Sequence, residues 1–125
     1  MKAITFDAGG TLLEPWPSVG HVYAEVAREQ RLGNWEPEEL NRRFAAAWRD
    51  RSEFDYSRPA WARLVARTFE HLIPQADDPH LFEALWQRFA ETRAWRVYED
   101  VPHTLTALRQ TGWRLAVVSN WDERL

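Results

Sequence analysis

Two short apolar runs at opposite ends of the chain constrain the fold most. Ala3-Ile4-Thr5-Phe6 runs into Asp7 and then into Ala8-Gly9-Gly10-Thr11. Leu115-Ala116-Val117-Val118 runs into Ser119-Asn120. Short apolar runs ended by Gly-rich or polar turns read as buried strands. Strands far apart in sequence need a crossover, and a right-handed crossover makes them parallel neighbours. Their C-terminal tips, Asp7 and Ser119, then lie side by side. Parallel sheets place their chemistry at that end. A glycine-rich turn there can cradle an anion with its backbone N–H groups.

The sequence between the runs is helical in pattern. Residues 8–17 read as a loop. Ser18 caps a first helix carrying Val19, Val22, Tyr23, Val26 and Ala27, which Gly33 is expected to end. A second helix is expected from Pro37 to Arg51, and a third from about Pro59 through Leu72. Asp78-Pro79 opens a fourth, with Leu81, Leu85 and Trp86 inward. Each carries one apolar stripe, so the four can close on one another. Residues 94–99 return the chain to a fifth helix, capped by Asp100 and stopped by Gly112, with Val101, Leu105 and Leu108 inward. The second run is continuous, the mark of a strand covered on both faces.

Bulk properties narrow the function classes. The chain has 125 residues, about one domain's worth, with 45% apolar and 28% charged residues, a globular composition. A net charge of −3 gives no case for nucleic acid or an anionic membrane as partner. No apolar run is long enough for a membrane span, and Asp7 interrupts the only candidate for a signal segment. There is no cysteine, hence no disulfide or thiolate metal site. A cytoplasmic location is expected.

Phe6-Asp7-Ala8-Gly9-Gly10-Thr11-Leu12 resembles the first motif of the haloacid dehalogenase (HAD) superfamily, and Val117-Val118-Ser119-Asn120 resembles the second. The stretch from Gly112 to Asp122 is most similar to the branch of HAD-like hydrolase domain-containing protein 3. The resemblance implies an α/β fold: a partial Rossmann-like core with two parallel strands (residues 1–15 and 97–125) and an inserted four-helix cap (residues 16–96). It implies Asp7 as a nucleophile that forms an aspartyl-phosphate. It implies Mg²⁺ held by Asp7 and the Gly9 carbonyl, and a phosphate grip from Ala8, Gly9, Gly10, Thr11, Ser119 and Asn120. The implied ligand is a small phosphate ester or similar anion.

The chain departs from the family in two places. Gly9 stands where the phosphatases carry a second Asp as acid and base, a role worth roughly 10²–10⁴-fold. The third and fourth motifs would follow the second, beyond Leu125, so the expectation is the N-terminal half of a HAD protein. A two-stranded sheet leaves an open edge through which a second chain could pair. Three functions are therefore carried forward: Mg²⁺-dependent phosphate-ester hydrolysis, dehalogenation at carbon without metal, and a non-catalytic fragment or binding module.

The remaining features have plainer readings. Trp48, Trp61 and Trp86 are expected in the core, and Trp16 is the candidate pocket wall. Asp77-Asp78 reads as a helix cap, and the four histidines are scattered. Arg42, Arg43, Arg49, Arg88 and Arg93 read as a solvated face.

Overall fold

The computed structural model describes residues 2–124; Met1 and Leu125, the outer ends of the expected core segments, lie outside them. Strand β1 (Ala3–Phe6) pairs in parallel with β4 (Arg114–Val117), with Ile4 opposite Leu115 and Phe6 opposite Val117. The crossover between them carries helices α1 (Val19–Glu29), α2 (Pro37–Arg49), α3 (Arg58–Thr68) and α4 (Pro79–Arg88), followed later by α5 (Val101–Gln110). The architecture is thus α/β, with two parallel strands and four helices inserted between them, as the motif spacing implies.

The helical insert owns the core. Leu40, Phe69, Leu81, Leu85 and Val26 are fully buried, and Tyr23 stacks on Phe69 at 5.7 Å between ring centres. Burying each such side chain is worth about 1.5–3 kcal/mol. α1 packs against α2 and α4, and α2 against α3. Ser18 begins α1 as expected, its hydroxyl accepting from the His21 N–H at 3.2 Å. The same hydroxyl accepts from Asn41 Nδ2 at 2.9 Å, while Asn41 Oδ1 accepts from the Gly20 N–H at 2.7 Å. One cap thereby fixes both the start of α1 and its contact with α2.

The two strands are covered on one face only. Ile4 and Phe6 are half-buried while Ala3 and Thr5 are exposed, and Val117 and Val118 are 50% and 67% exposed. The expectation of strands buried on both faces is therefore wrong for these residues. α5 packs on β4, yet none of its side chains is fully buried; Val101, Leu105 and Leu108 are its half-buried stripe.

Other local expectations shift. α1 ends at Glu29, short of Gly33, because Arg31 takes the left-handed conformation (φ 58) that turns the chain. Asp100 occupies the cap position of α5 but its side chain makes no capping bond. Arg88 is buried rather than solvated, because it bonds Glu25 at 3.2 Å and Glu29 at 2.6 Å and so ties α4 to α1.

Residues read as loop and connector form a ribbon instead. β2 (Leu13–Pro15) pairs antiparallel with β3 (Trp95–Val97). The ribbon lies where the chain leaves the parallel pair and where it returns. Arg96 bonds Glu14 across it at 2.7 Å and stacks on Trp16 at 3.6 Å. Three-residue strands with no alternation give little periodic signal, so the sequence did not announce them.

Candidate active site

Parallel pairing brings the two strand tips together. Val118 N–H donates to the Phe6 carbonyl at 2.9 Å, which sets the next residues, Asp7 and Ser119, beside each other. Ser119 Oγ donates to Asp7 Oδ1 at 2.5 Å, and the Ala8 N–H donates to the same oxygen at 2.9 Å. Two donors on one oxygen fix the carboxylate and leave its other oxygen outside the hydrogen bonds found among the described residues. Asp7 is exposed, at the rim of a cavity of about 690 Å³ that it shares with Gly9, Gly10, Ser119 and Asn120.

The turn after Asp7 is tighter than a free anion cradle. Gly10 N–H donates to the Leu13 carbonyl at 2.8 Å, and Thr11 and Leu12 N–H both donate to the Ala8 carbonyl. Gly10 adopts φ 79, the left-handed region that a glycine accepts without strain. The N–H groups of Gly10 and Thr11 are thus engaged within the turn, so the expected cradle across Ala8–Thr11 is not open at those two residues. Ala8 is buried and Thr11 exposed, and neither lines the cavity.

The helical insert supplies the far walls. Trp48 and Trp61, expected in the core, stand in the cavity wall and stack at 5.8 Å between ring centres. Trp86 is buried and also faces the cavity. Trp16, the expected wall, is 40% exposed under Arg96 and is not among the lining residues. Helical spacing predicts an inward face but cannot distinguish a packed core from a cavity bounded by the same rings.

The segment after the second motif carries site residues that sequence reasoning missed: Trp121, Asp122 and Arg124. Trp121 packs on Trp95 at 5.1 Å between ring centres. Arg124 donates to Asp122 through Nε at 2.7 Å and Nη2 at 2.5 Å, and its guanidinium lies 3.5 Å above Trp86. Burial pushes the Asp122 carboxyl up, but the hydrogen bonds and charge of Arg124, with Trp61 facing it, hold it below the usual carboxylate range. The Trp61 Nε1–H is itself buried, and among the described residues it closes no hydrogen bond of ordinary geometry. Burial also raises the Tyr23 hydroxyl, keeping it protonated at the cavity wall. The only sequence signal for these residues was their adjacency to Ser119-Asn120.

A family profile described as haloacid dehalogenase-like hydrolase matches residues 1–125. The chain belongs to the haloacid dehalogenase-like hydrolase family. Its relatives include haloacid dehalogenase-like hydrolase domain-containing protein 3 of Homo sapiens, 35% identical over 138 residues, and of Bos taurus, 34% identical over 137. All of this chain is covered in both cases, but only 54% of each relative. The chain therefore spans about half the length of the curated relatives it matches. Among solved structures, one described as a predicted phosphoglycolate phosphatase from Haemophilus somnus 129pt aligns at a TM-score of 0.63. It is 20% identical, covering 99% of this chain and 53% of that one. A structure described as a dehalogenase aligns at 0.59, also at 20% identity and with the same coverage. These two likenesses establish a HAD fold.

Mg²⁺, which the family implies, can be tested against the donors present. Asp7 offers a carboxylate and Gly9 a backbone carbonyl, both hard oxygen donors of the kind Mg²⁺ takes alongside water and substrate oxygens. Among the described residues no group of three or more His, Asp or Glu side chains is gathered. The donor chemistry fits a metal held by one carboxylate, with its remaining ligands coming from elsewhere.

Proposed function

We propose that this HAD-family chain carries the nucleophile of a phosphate-ester hydrolase, with Asp7 attacking phosphorus. The observation that carries the reading is the anchoring of one Asp7 oxygen by Ser119 and Ala8 at the mouth of a cavity. Anchoring of this kind aims the second oxygen and lowers the entropic cost of reaching an in-line geometry. Asp7 and the Gly9 carbonyl are the residues that would hold Mg²⁺, which when bound neutralises phosphate charge. Ser119 and Asn120 are the residues that would position the phosphoryl oxygens. A small-molecule phosphate ester is the ligand class, and the open edge of the two-stranded sheet is the surface through which copies would associate.

The test is phosphate release from p-nitrophenyl phosphate, with and without Mg²⁺, set against Asp7→Asn. Metal-dependent release lost in the variant supports the reading. Release that survives the substitution rejects it. Gly9 favours one second reading, because attack on a carbon–halogen bond needs no acid to protonate the leaving group. Halide release from a 2-haloacid without metal would establish that chemistry instead.

A further inference from the structure

Two features of the cavity are independent of each other and point to one kind of leaving group. The first is what Gly9 lacks. It has no side chain to protonate a departing oxygen, and an ideal Cβ built there would sit 3.1 Å from Trp121 Cζ3. The space an acid would occupy is taken by an aromatic ring. The second is what the cavity wall is made of. Trp48, Trp61, Trp86, Trp95 and Trp121 all line it, with Tyr56 among them. Aromatic walls of this kind bind flat apolar bodies through offset and edge contacts.

We infer that the site takes esters of aryl alcohols, the ring lodged among the tryptophans and the phosphoryl group at Asp7. This rests on the hydrolase reading above and narrows it to a substrate class. The step balances without a protein acid. An Asp7 carboxylate oxygen bonds to phosphorus as the bond from phosphorus to the aryl oxygen breaks. The aryl oxygen leaves with the electron pair as an aryloxide and later takes a proton from water. Water then hydrolyses the acyl phosphate, returning the Asp7 carboxylate and inorganic phosphate. A phenolic oxygen has a pKa near 10, as in tyrosine, and so leaves as the anion far more readily than an alkoxide does. An alkyl ester needs the acid that Gly9 cannot supply.

Three probes separate binding from leaving-group ability: 2-naphthyl phosphate, 2-naphthylmethyl phosphate and methyl phosphate. The first two share the ring system, but only the first has an aryl oxygen. Binding of each is measured by titration calorimetry on Asp7→Asn, and turnover on the native chain. The expected result is similar affinity for the two naphthyl probes, with methyl phosphate at least tenfold weaker. Turnover of 2-naphthyl phosphate should exceed that of 2-naphthylmethyl phosphate by roughly 10² or more, the lower bound for a missing acid. Equal turnover of the two naphthyl esters overturns the inference, because it requires a general acid. Methyl phosphate binding as tightly as the naphthyl probes also overturns it, and in both cases the hydrolase reading stands. Naphthyl binding with no turnover of any ester overturns the hydrolase reading and this inference with it.

Discussion

Ser119 donates its hydroxyl hydrogen to the Asp7 carboxylate although 112 positions separate them. The contact exists because β1 and β4 are parallel and in register, so each strand delivers its last residue to the same point. Hydrogen bonds to charged groups contribute about 1.5–3 kcal/mol. Ser119→Ala is expected to lower p-nitrophenyl phosphate turnover about tenfold while leaving the circular dichroism spectrum unchanged. A variant as active as the native chain would show that the hydroxyl plays no part in aiming Asp7.

Restoring the absent carboxylate at Gly9 depends on Trp121. Gly9→Asp alone is expected to lower stability by about 1 kcal/mol, because the ring must yield by a few tenths of an ångström. It should add little alkyl-ester activity. Combined with Trp121→Ala, it should raise alkyl phosphate turnover by about 10², the contribution of a general acid. Steady-state kinetics on the single and double variants checks both statements.

Gly20 is a packing requirement rather than a conformational one. An added Cβ would lie 2.0 Å from the Pro37 carbonyl oxygen, where α1 crosses the start of α2. Gly20→Ala is expected to cost about 3 kcal/mol or more, the range of severe overpacking. Ser18→Ala, which removes the cap at the same crossing, should cost about 1 kcal/mol. Urea denaturation of both variants gives the order directly.

Asp122 sets an acid limit on the cavity wall. Its carboxyl lies below the usual range when folded, so its pairing with Arg124 is fully present above the unfolded carboxylate pKa of about 4. That contribution fades as pH falls through the lower folded value. Asp122→Asn should reduce stability at neutral pH and flatten its pH dependence below about pH 4. Chemical denaturation at pH 7 and pH 3 measures the difference. An unchanged gap between the two pH values would refute the assignment.

The strand tips, the helix stripes and the Ser18 and Asp78 caps were readable because each has a local chemical reason. Asp7 and Ser119 could be placed side by side from topology alone. The ribbon was not readable, because Leu13–Pro15 and Trp95–Val97 are stabilised by pairing across the whole insert. Trp48 and Trp61 were recognised as inward-facing, but whether protein or a void faces them depends on packing between elements. Arg88 looked like surface because its two carboxylates sit on α1, remote in sequence.

The β2–β3 ribbon joins the outgoing and returning passages of the chain into one paired unit, reinforced by Glu14 and Arg96. The helical insert is consequently attached to the catalytic strands by a double-stranded hinge rather than by two independent tethers. A hinge of that kind favours rotation about a single axis over twisting and sliding. Opening of the cavity would then be a one-dimensional motion, in which the tryptophan wall approaches and leaves Asp7 along a fixed arc.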